Sequence, residues 1–326
     1  MTDIKKLFLK SIQKKHISLA EQLFPSVSLT AKEQRNIFKH AIKWNENNIA
    51  TSIIQQLTNK ENEYLQDAVL AGNEAAVSML LTKGADPNYL SPTGENTLQL
   101  AIKANGSNLQ IIEALIAFRA DLYHKDQNNS TSITKAARYG QLPIVQYLQE
   151  KSLQIHQRNL LDEEVLTSAV SSNHVDIVSY CLANEVKVNQ KAIFLSILSD
   201  LDNMTKFLLK KDNHLVFTDS NSFNPFVLAI YKGKPNILTL LLERLPTDKE
   251  LQATFCSTAL MTAIELEHGH LIDVLLKAGA DINYIDQGES ILDIAILSRN
   301  KQLVKTIKKL GGKSYKRNQK VIPLKQ

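Results

Sequence analysis

The sequence predicts an all-α fold: a solenoid-type stack of about ten helix-turn-helix units that carry short β-hairpin fingers. Three observations predict it. Glycine (11) and proline (8) are scarce in a chain of 326 residues, which favours helices over a strand-rich sandwich. A small residue, Ala or Ser, recurs ten times at intervals of 27 to 35 residues, followed by an apolar residue 8 and 12 positions on. Four residues after five of these anchors stands a turn-former: Asn45, Gly72, Gly140, Asn173 or Gly233. Self-similarity at such a period is the mark of a repeat array, in which each unit packs on its neighbours.

The anchors and their apolar partners run along the chain as follows. Ser11 has Leu19 and Leu23, Ala41 has Ile49 and Ile53, and Ala68 has Ala76 and Leu80. Ala101 has Ile111 and Leu115, reached through two extra residues in the turn-forming Asn105-Gly-Ser-Asn108. Ala136 has Ile144 and Leu148, Ala169 has Ile177 and Cys181, and Ser196 has Met204 and Leu208. Ala229 has Ile237 and Leu241, Ala263 has Leu271 and Leu275, and Ala295 has Leu303 and Ile307. The first helix of each unit centres on the anchor, which is small because the next unit approaches closely; a Leu there would overpack by about 1–3 kcal/mol. The second helix is amphipathic, as in Leu142-Pro-Ile-Val-Gln-Tyr-Leu148, with apolar residues at helical spacing. The turn between them takes Gly or Asn because both tolerate positive φ.

These features resemble the ankyrin repeat family, with about 33 residues per unit and a T-P-L-H-x-A start. That start appears as Asn96-Thr-Leu-Gln-Leu-Ala101, Asn224-Pro-Phe-Val-Leu-Ala229, Thr258-Ala-Leu-Met-Thr-Ala263 and Ser290-Ile-Leu-Asp-Ile-Ala295, without the His in any of them. The family's hairpin signature is intact in Gly84-Ala-Asp-Pro-Asn88 and Gly279-Ala-Asp-Ile-Asn283, with a worn copy in Arg119-Ala-Asp-Leu-Tyr123. The second-helix start reads Asn173-His-Val-Asp-Ile-Val178. Ala41 to Ala68 and Ala169 to Ser196 each advance only 27 residues, so the fingers there are expected to be short or missing. Glu164-Val-Leu-Thr-Ser-Ala169 loses its usual N-cap hydroxyl. The array is expected over 1–312, with an N-terminal cap unit at 1–30 and a C-terminal cap unit at 286–312. In the latter Lys308 replaces an apolar residue and Gly311-Gly312 ends the helix.

Catalytic chemistry is not expected. The resemblance gives His16, His174 and His268 scaffold roles, His40 reads as structural or surface, and His124, His156, His214 and His270 fall in loops or turns. No metal spacing, phosphate loop or nucleophile-elbow motif is present. The two cysteines, Cys181 and Cys256, exclude a disulfide framework and fit a reducing compartment. Cys256 lies near His268 and His270 in sequence, but no group to orient such a pair is evident. Asp200-Leu-Asp202 reads as a solvated turn, and Trp44, three residues after its anchor, as packing. No catalytic residue, metal or cofactor is therefore expected. No stretch approaches the ~18 apolar residues of a membrane span, and no signal-peptide core opens the chain. The expected state is a soluble cytoplasmic monomer. The degenerate units and the Lys/Asn/Ile/Gln-rich composition also resemble ankyrin proteins of intracellular bacteria, often secreted into host cells.

The family resemblance implies that another protein is bound along the first helices and finger tips. The stripe two residues after each anchor holds Gln13, Lys43, Leu70, Lys103, Arg138, Ser171, Leu198, Tyr231, Glu265 and Leu297, and the next position adds Trp44, Tyr139, Lys232 and Leu266. Tyr89, Tyr123, Phe223 and Tyr284 are the finger-tip candidates. Tyr and Arg are enriched among residues that dominate interfaces. A separate feature is the C-terminal tail, 313–326. From Arg299 to Gln326 there are ten Lys/Arg and no Asp/Glu, whereas the other 298 residues carry 28 basic and 33 acidic side chains. Such a run fits nucleic acid, an anionic membrane surface, an address signal or a solvated tail.

Overall fold

A computed structural model describes residues 3–14, 16–58, 61–105, 108–156, 161–211, 224–244 and 249–315. It forms two compact units, 1–177 and 178–326. Twenty α-helices lie among the described residues, as ten consecutive pairs. The first unit holds α1 (Asp3–Gln13) with α2 (Ile17–Leu23), α3 (Ala31–Lys43) with α4 (Asn47–Gln56), and α5 (Glu61–Ala71) with α6 (Glu74–Thr82). It continues with α7 (Thr97–Asn105) and α8 (Leu109–Ala117), α9 (Ser132–Arg138) and α10 (Leu142–His156), and α11 (Glu163–Ser171). The boundary falls within α12 (Val175–Ala183). The second unit holds α13 (Gln190–Leu198) with α14 (Asp202–Lys211), α15 (Pro225–Tyr231) with α16 (Pro235–Leu242), α17 (Lys249–Glu265) with α18 (Ile272–Lys277), and α19 (Ile291–Leu297) with α20 (Lys301–Lys309).

Within each unit first helices pack on first helices and second on second. Thus α3, α5, α7, α9 and α11 follow one another in the first unit, and α13, α15, α17 and α19 in the second. The anchors explain this layering. Nine of the ten are buried, from Ser11 to Ala295, and Ala101 is partly buried. The apolar partners at both offsets are buried in nine pairs. The first pair departs from the expected register. Leu19 is exposed and Leu23 half-buried, while Ala20 and Phe24 face inward, one residue later. Phe24 stacks on Phe8 with ring centroids 5.8 Å apart, and that aromatic pair sets the rotation of α2.

The turn inside each pair needs one left-handed residue. Asn45, Gly72, Gly140, Asn173 and Gly233 all have positive φ, and so do Asp200, Glu267 and Arg299 at the same position. Each second helix that ends at Gly84, Arg119, Glu185 or Gly279 closes through the same reversed bond, for example Ala85 N to Leu80 O and Val186 N to Cys181 O, both about 3.0–3.1 Å. Glu185-Val-Lys-Val-Asn189 is therefore a fourth, unrecognised copy of the hairpin start. Only four residues follow Glu185 before α13 begins, and four separate α4 from α5. The fingers are short in those two intervals, as the 27-residue spacing requires.

Strand pairing among the described residues is confined to Ile285–Asp286 and Glu289–Ser290, closed by Gln287 and Gly288 at positive φ. The segment before Ala263 is helical instead of forming a finger. Lys249-Glu-Leu-Gln-Ala-Thr-Phe-Cys-Ser257 contains no breaker and extends α17 to 17 residues. Thr258 therefore lies inside a helix rather than at its start, as does Cys256. The hydroxyl missing from the start of α11 is replaced by Asp162, whose carboxylate accepts from Glu164 N (3.0 Å) and Val165 N (2.9 Å).

The first residues of the basic C-terminal segment are hydrogen-bonded to the fold. Lys313 N donates to Asn283 Oδ1 at 2.9 Å, and Tyr315 N to Asp293 Oδ2 at 3.0 Å, so residues 313–315 are part of the folded second unit. Residues 316–326 and Phe223 lie outside the described residues.

Candidate protein-binding face

The exposed ends of the first helices differ between the units. In the first unit the stripe presents Lys43, Leu70, Lys103, Arg138 and Ser171, all exposed, with Tyr139 beside Arg138 at the end of α9. In the second it presents Leu198, Tyr231, Glu265 and Leu297. Tyr231 and Leu297 are 64% and 63% exposed, and Val227, one turn before Tyr231, is 53% exposed. Val227 was not legible as a surface residue. It occupies the family's His slot in Asn224-Pro-Phe-Val227, where a buried or hydrogen-bonded residue is expected.

Several candidates are tied to the scaffold. The Lys103 ammonium lies 3.1 Å from Glu95 Oε2. Lys232 donates to Leu198 O at 3.0 Å and pairs with Asp200 at 3.1 Å, so it bridges two first-helix ends rather than standing free as the stripe reading implied. Tyr123 is half-buried and its hydroxyl bonds Ser152 Oγ on α10 at 2.7 Å, which turns it away from a finger-tip role. Tyr284 is half-buried beside Thr258, 3.4 Å from its hydroxyl, and Tyr89 is exposed. Trp44 is half-buried against His40, with ring centroids 5.1 Å apart.

Beneath the first unit's face lies a charged cluster that the sequence did not reveal. Lys135 Nζ contacts Glu95 Oε1 at 2.6 Å and Asp126 Oδ2 at 2.7 Å, with all three side chains at most 7% exposed. Burial opposes ionisation of Glu95, but hydrogen bonds from Lys135, Thr93 and Lys103 hold its carboxyl below the ordinary value. Asp126 is likewise lowered, against burial, by Lys135 and the amides of Ser130 and Asn128. Lys135 is raised, because its two carboxylates outweigh its own burial. Such a cluster fixes the finger carrying Asp126 onto α9.

The histidines also serve the scaffold. His174 Nε2 bonds Arg138 O at 3.0 Å and His268 Nε2 bonds Tyr231 O at 2.9 Å, so each clamps the preceding helix end where a stripe residue sits. His270 does the same to Gly233 O (2.9 Å) and His124 to Gly94 O (2.7 Å), although both read as loop residues in the sequence. His16 is exposed. Gln99, in the His slot of its unit, reaches Ser130 O at 2.7 Å and His124 O at 3.0 Å.

The Cys256 thiol is fully buried and burial pushes it up to about 11. Asp200 and Asp202 are paired with Lys232 and Lys234 at 3.1 Å. Among the described residues no group of three or more His, Cys, Asp or Glu is placed to hold a metal, and no helix is long and apolar enough to cross a membrane.

Comparison with known proteins matches this chain to a model of ankyrin repeats in three copies, over residues 65–159, 98–192 and 226–318. It is 28% identical to mouse Rabankyrin-5 over 206 residues, which is 61% of this chain and 15% of that protein. It is 23% identical to the phosphocholine transferase AnkX of Legionella pneumophila over 259 residues, 78% of this chain and 22% of that protein. The chain thus spans well under a quarter of the length of either relative.

Proposed function

The chain belongs to the ankyrin-repeat family, and from that premise we propose that it is a non-catalytic scaffold. It captures another protein on the exposed ends of its first helices and on its fingers. The observation that carries this reading is the exposure of large side chains at one repeated position, Leu70 and Arg138 in the first unit and Leu198, Tyr231 and Leu297 in the second, with Tyr139 exposed next to Arg138. A side chain at the same repeat position in successive units forms a continuous row within each unit, and such rows suit a conventional interface of roughly 1,600 Å². The first unit's row, with Lys43, Arg138 and Tyr139, suits an acidic segment. The second unit's row suits an apolar one.

The setting we propose is a bacterial protein acting on a host protein. It is supported by the alignment with AnkX and by the composition. AnkX is a phosphocholine transferase, and this chain spans 22% of its length; we assign this chain the scaffold role of its own helix pairs and not the transfer reaction.

Arg138→Glu combined with Tyr139→Ala tests the reading by pull-down from host-cell extract. Both side chains are exposed, so helicity by circular dichroism should not change, while capture should fall at least ~10-fold, as expected when a central interface anchor worth ~2 kcal/mol is removed. Undiminished capture would reject the face.

A further inference from the structure

The cationic character of the C-terminal region is built into a folded surface as well as into the tail. Helix α20 reads Lys301-Gln-Leu-Val-Lys-Thr-Ile-Lys-Lys309. Leu303 and Ile307 are buried against α19, which fixes the helix's rotation. Lys301, Lys305 and Lys308 then fall at i, i+4 and i+7 on the outward side, with Lys309 adjacent, and all four are exposed. The ion pairs of the second unit's described residues join Lys232 and Lys234 to Asp200 and Asp202, so none of the four α20 lysines is neutralised by a described carboxylate. At the helix start Glu267 accepts a hydrogen bond from the N-cap Asn300 at 3.1 Å. Residues 313–315 are hydrogen-bonded to the fold, placing Lys313 with this region, and Lys316, Arg317, Lys320 and Lys325 follow in the sequence.

We propose that the outward face of α20 docks on an anionic lipid surface. Charge complementarity selects the occupant. The segment from Arg299 holds eight Lys and two Arg and a single aromatic, Tyr315. Nucleic-acid recognition favours the planar, bidentate guanidinium of Arg over the Lys ammonium, and holding single strands calls for aromatic platforms. Lysine is a compact, hydrated point charge suited to diffuse attraction by a headgroup layer. The apolar side of α20 is already occupied by the core, so the helix does not insert. Leu310, exposed at the helix end beside Lys308 and Lys309, is the apolar side chain available to the interfacial layer. Attachment is therefore electrostatic and screened by salt. It would hold the protein-binding faces near a membrane, a role separate from partner capture.

The test is co-sedimentation of the full chain with vesicles of phosphatidylcholine alone or with about a third phosphatidylserine, at a low salt and a physiological salt near the range where screening matters. The account predicts binding to the anionic vesicles only, weakened by salt. Replacing Lys301, Lys305, Lys308 and Lys309 together by Gln should weaken it at least ~100-fold, since each lysine near such a surface is worth about fivefold. Circular dichroism should be unchanged, because all four side chains are exposed. Truncation after Tyr315 should weaken binding without abolishing it. Four results would overturn the proposal: no binding at low salt, equal binding to neutral vesicles, an undiminished four-lysine variant, or binding to duplex DNA in place of anionic vesicles.

Discussion

The two units solve the same packing problem with different chemistry at one repeated position. That position is the fourth of the first-helix start, where the family carries His. In the first unit it holds Leu9 in the first pair and then Lys39, Gln66, Gln99, Thr134 and Thr167. Lys39 pairs with Asp67 at 3.3 Å, Gln66 bonds Tyr89 O at 3.1 Å, Gln99 bonds two carbonyls, and Thr134 closes a capping box with Thr131. In the second unit it holds Phe194, Val227 and Met261 before returning to a polar residue, Asp293. The first unit therefore stitches its fingers to its helices with hydrogen bonds and ion pairs, and its exposed stripe is cationic. The second unit leaves that position mainly apolar, and its stripe is mainly apolar too, with Glu265 as its charged member. A buried polar group must be paired, so each buried polar slot commits a hydrogen-bonding neighbour, while an apolar side chain carries no such obligation. Polar slots thus specify finger geometry, and apolar ones free the surface for contact.

The largest test of this contrast is Lys135→Met. It strands Glu95 and Asp126 in the interior and should destabilise the first unit by about 3–5 kcal/mol. Urea unfolding should show the loss, with amide exchange in α15–α19 of the second unit unchanged. Replacing Glu95 and Asp126 by Gln and Asn in the same chain should recover most of it.

Next come the turn glycines. Gly140 and Gly72 share a φ of +72°, but a Cβ at Gly140 would lie 2.4 Å from the His174 ring, whereas Gly72 has nothing within 4 Å. Gly72→Ala should cost about 1 kcal/mol for the left-handed backbone alone. Gly140→Ala should cost about 2–3 kcal/mol, because the ring and its bond to Arg138 O are displaced as well. Equal thermal shifts in the two variants would show that the His clamp contributes nothing.

The C-terminal closure responds to acid. Burial opposes the Asp293 charge, but bonds from the Ser314 and Ser290 hydroxyls and the Ser290 and Tyr315 amides hold its carboxyl at about 2. A carboxyl lowered in the folded state contributes stability that is full above its unfolded value and disappears as pH falls through the folded one. The contribution, about 2 kcal/mol, should therefore be lost between about pH 4 and pH 2. Exchange of the Tyr315 amide should accelerate over that window, and Asp293→Asn should remove the dependence.

The smallest effect is expected for Lys234→Ala. Its pairs with Asp200 and Asp202 are largely solvated, so unfolding should shift by less than about 1 kcal/mol. A cost like that of Lys135→Met would erase the distinction between the units.

The stack was readable in the sequence because burial at helical spacing leaves apolar residues at fixed offsets. Ser11 shows where that reading slips. Leu19 and Ala20, like Leu23 and Phe24, are both apolar, and only the ring packing of Phe24 on Phe8 chooses between them. The hairpin signature was legible, but its reason lies in space. Asn88 accepts from Asp121 N at 2.7 Å and donates to Arg119 O at 3.1 Å, and Asn283 accepts from Lys313 N, so each binds the next finger-equivalent segment. Asp200, Glu267 and Arg299 adopt the left-handed turn without the side chains that advertise it. The cluster of Glu95, Asp126 and Lys135 was invisible because its members are up to 40 residues apart. For the candidate face, the repeat position was legible and its occupants' ties were not: Lys103, Lys232 and Tyr123 each find a scaffold partner that no spacing rule reveals.

The most direct measurement replaces single residues by a photo-crosslinking amino acid in the full chain and irradiates it in host-cell extract. Tyr139 and Tyr231 lie on the first-helix faces, and Leu153, also exposed, lies on the second helix α10. The account predicts adducts of the same host protein from Tyr139 and Tyr231 and none from Leu153. Adducts from Leu153 alone would contradict it.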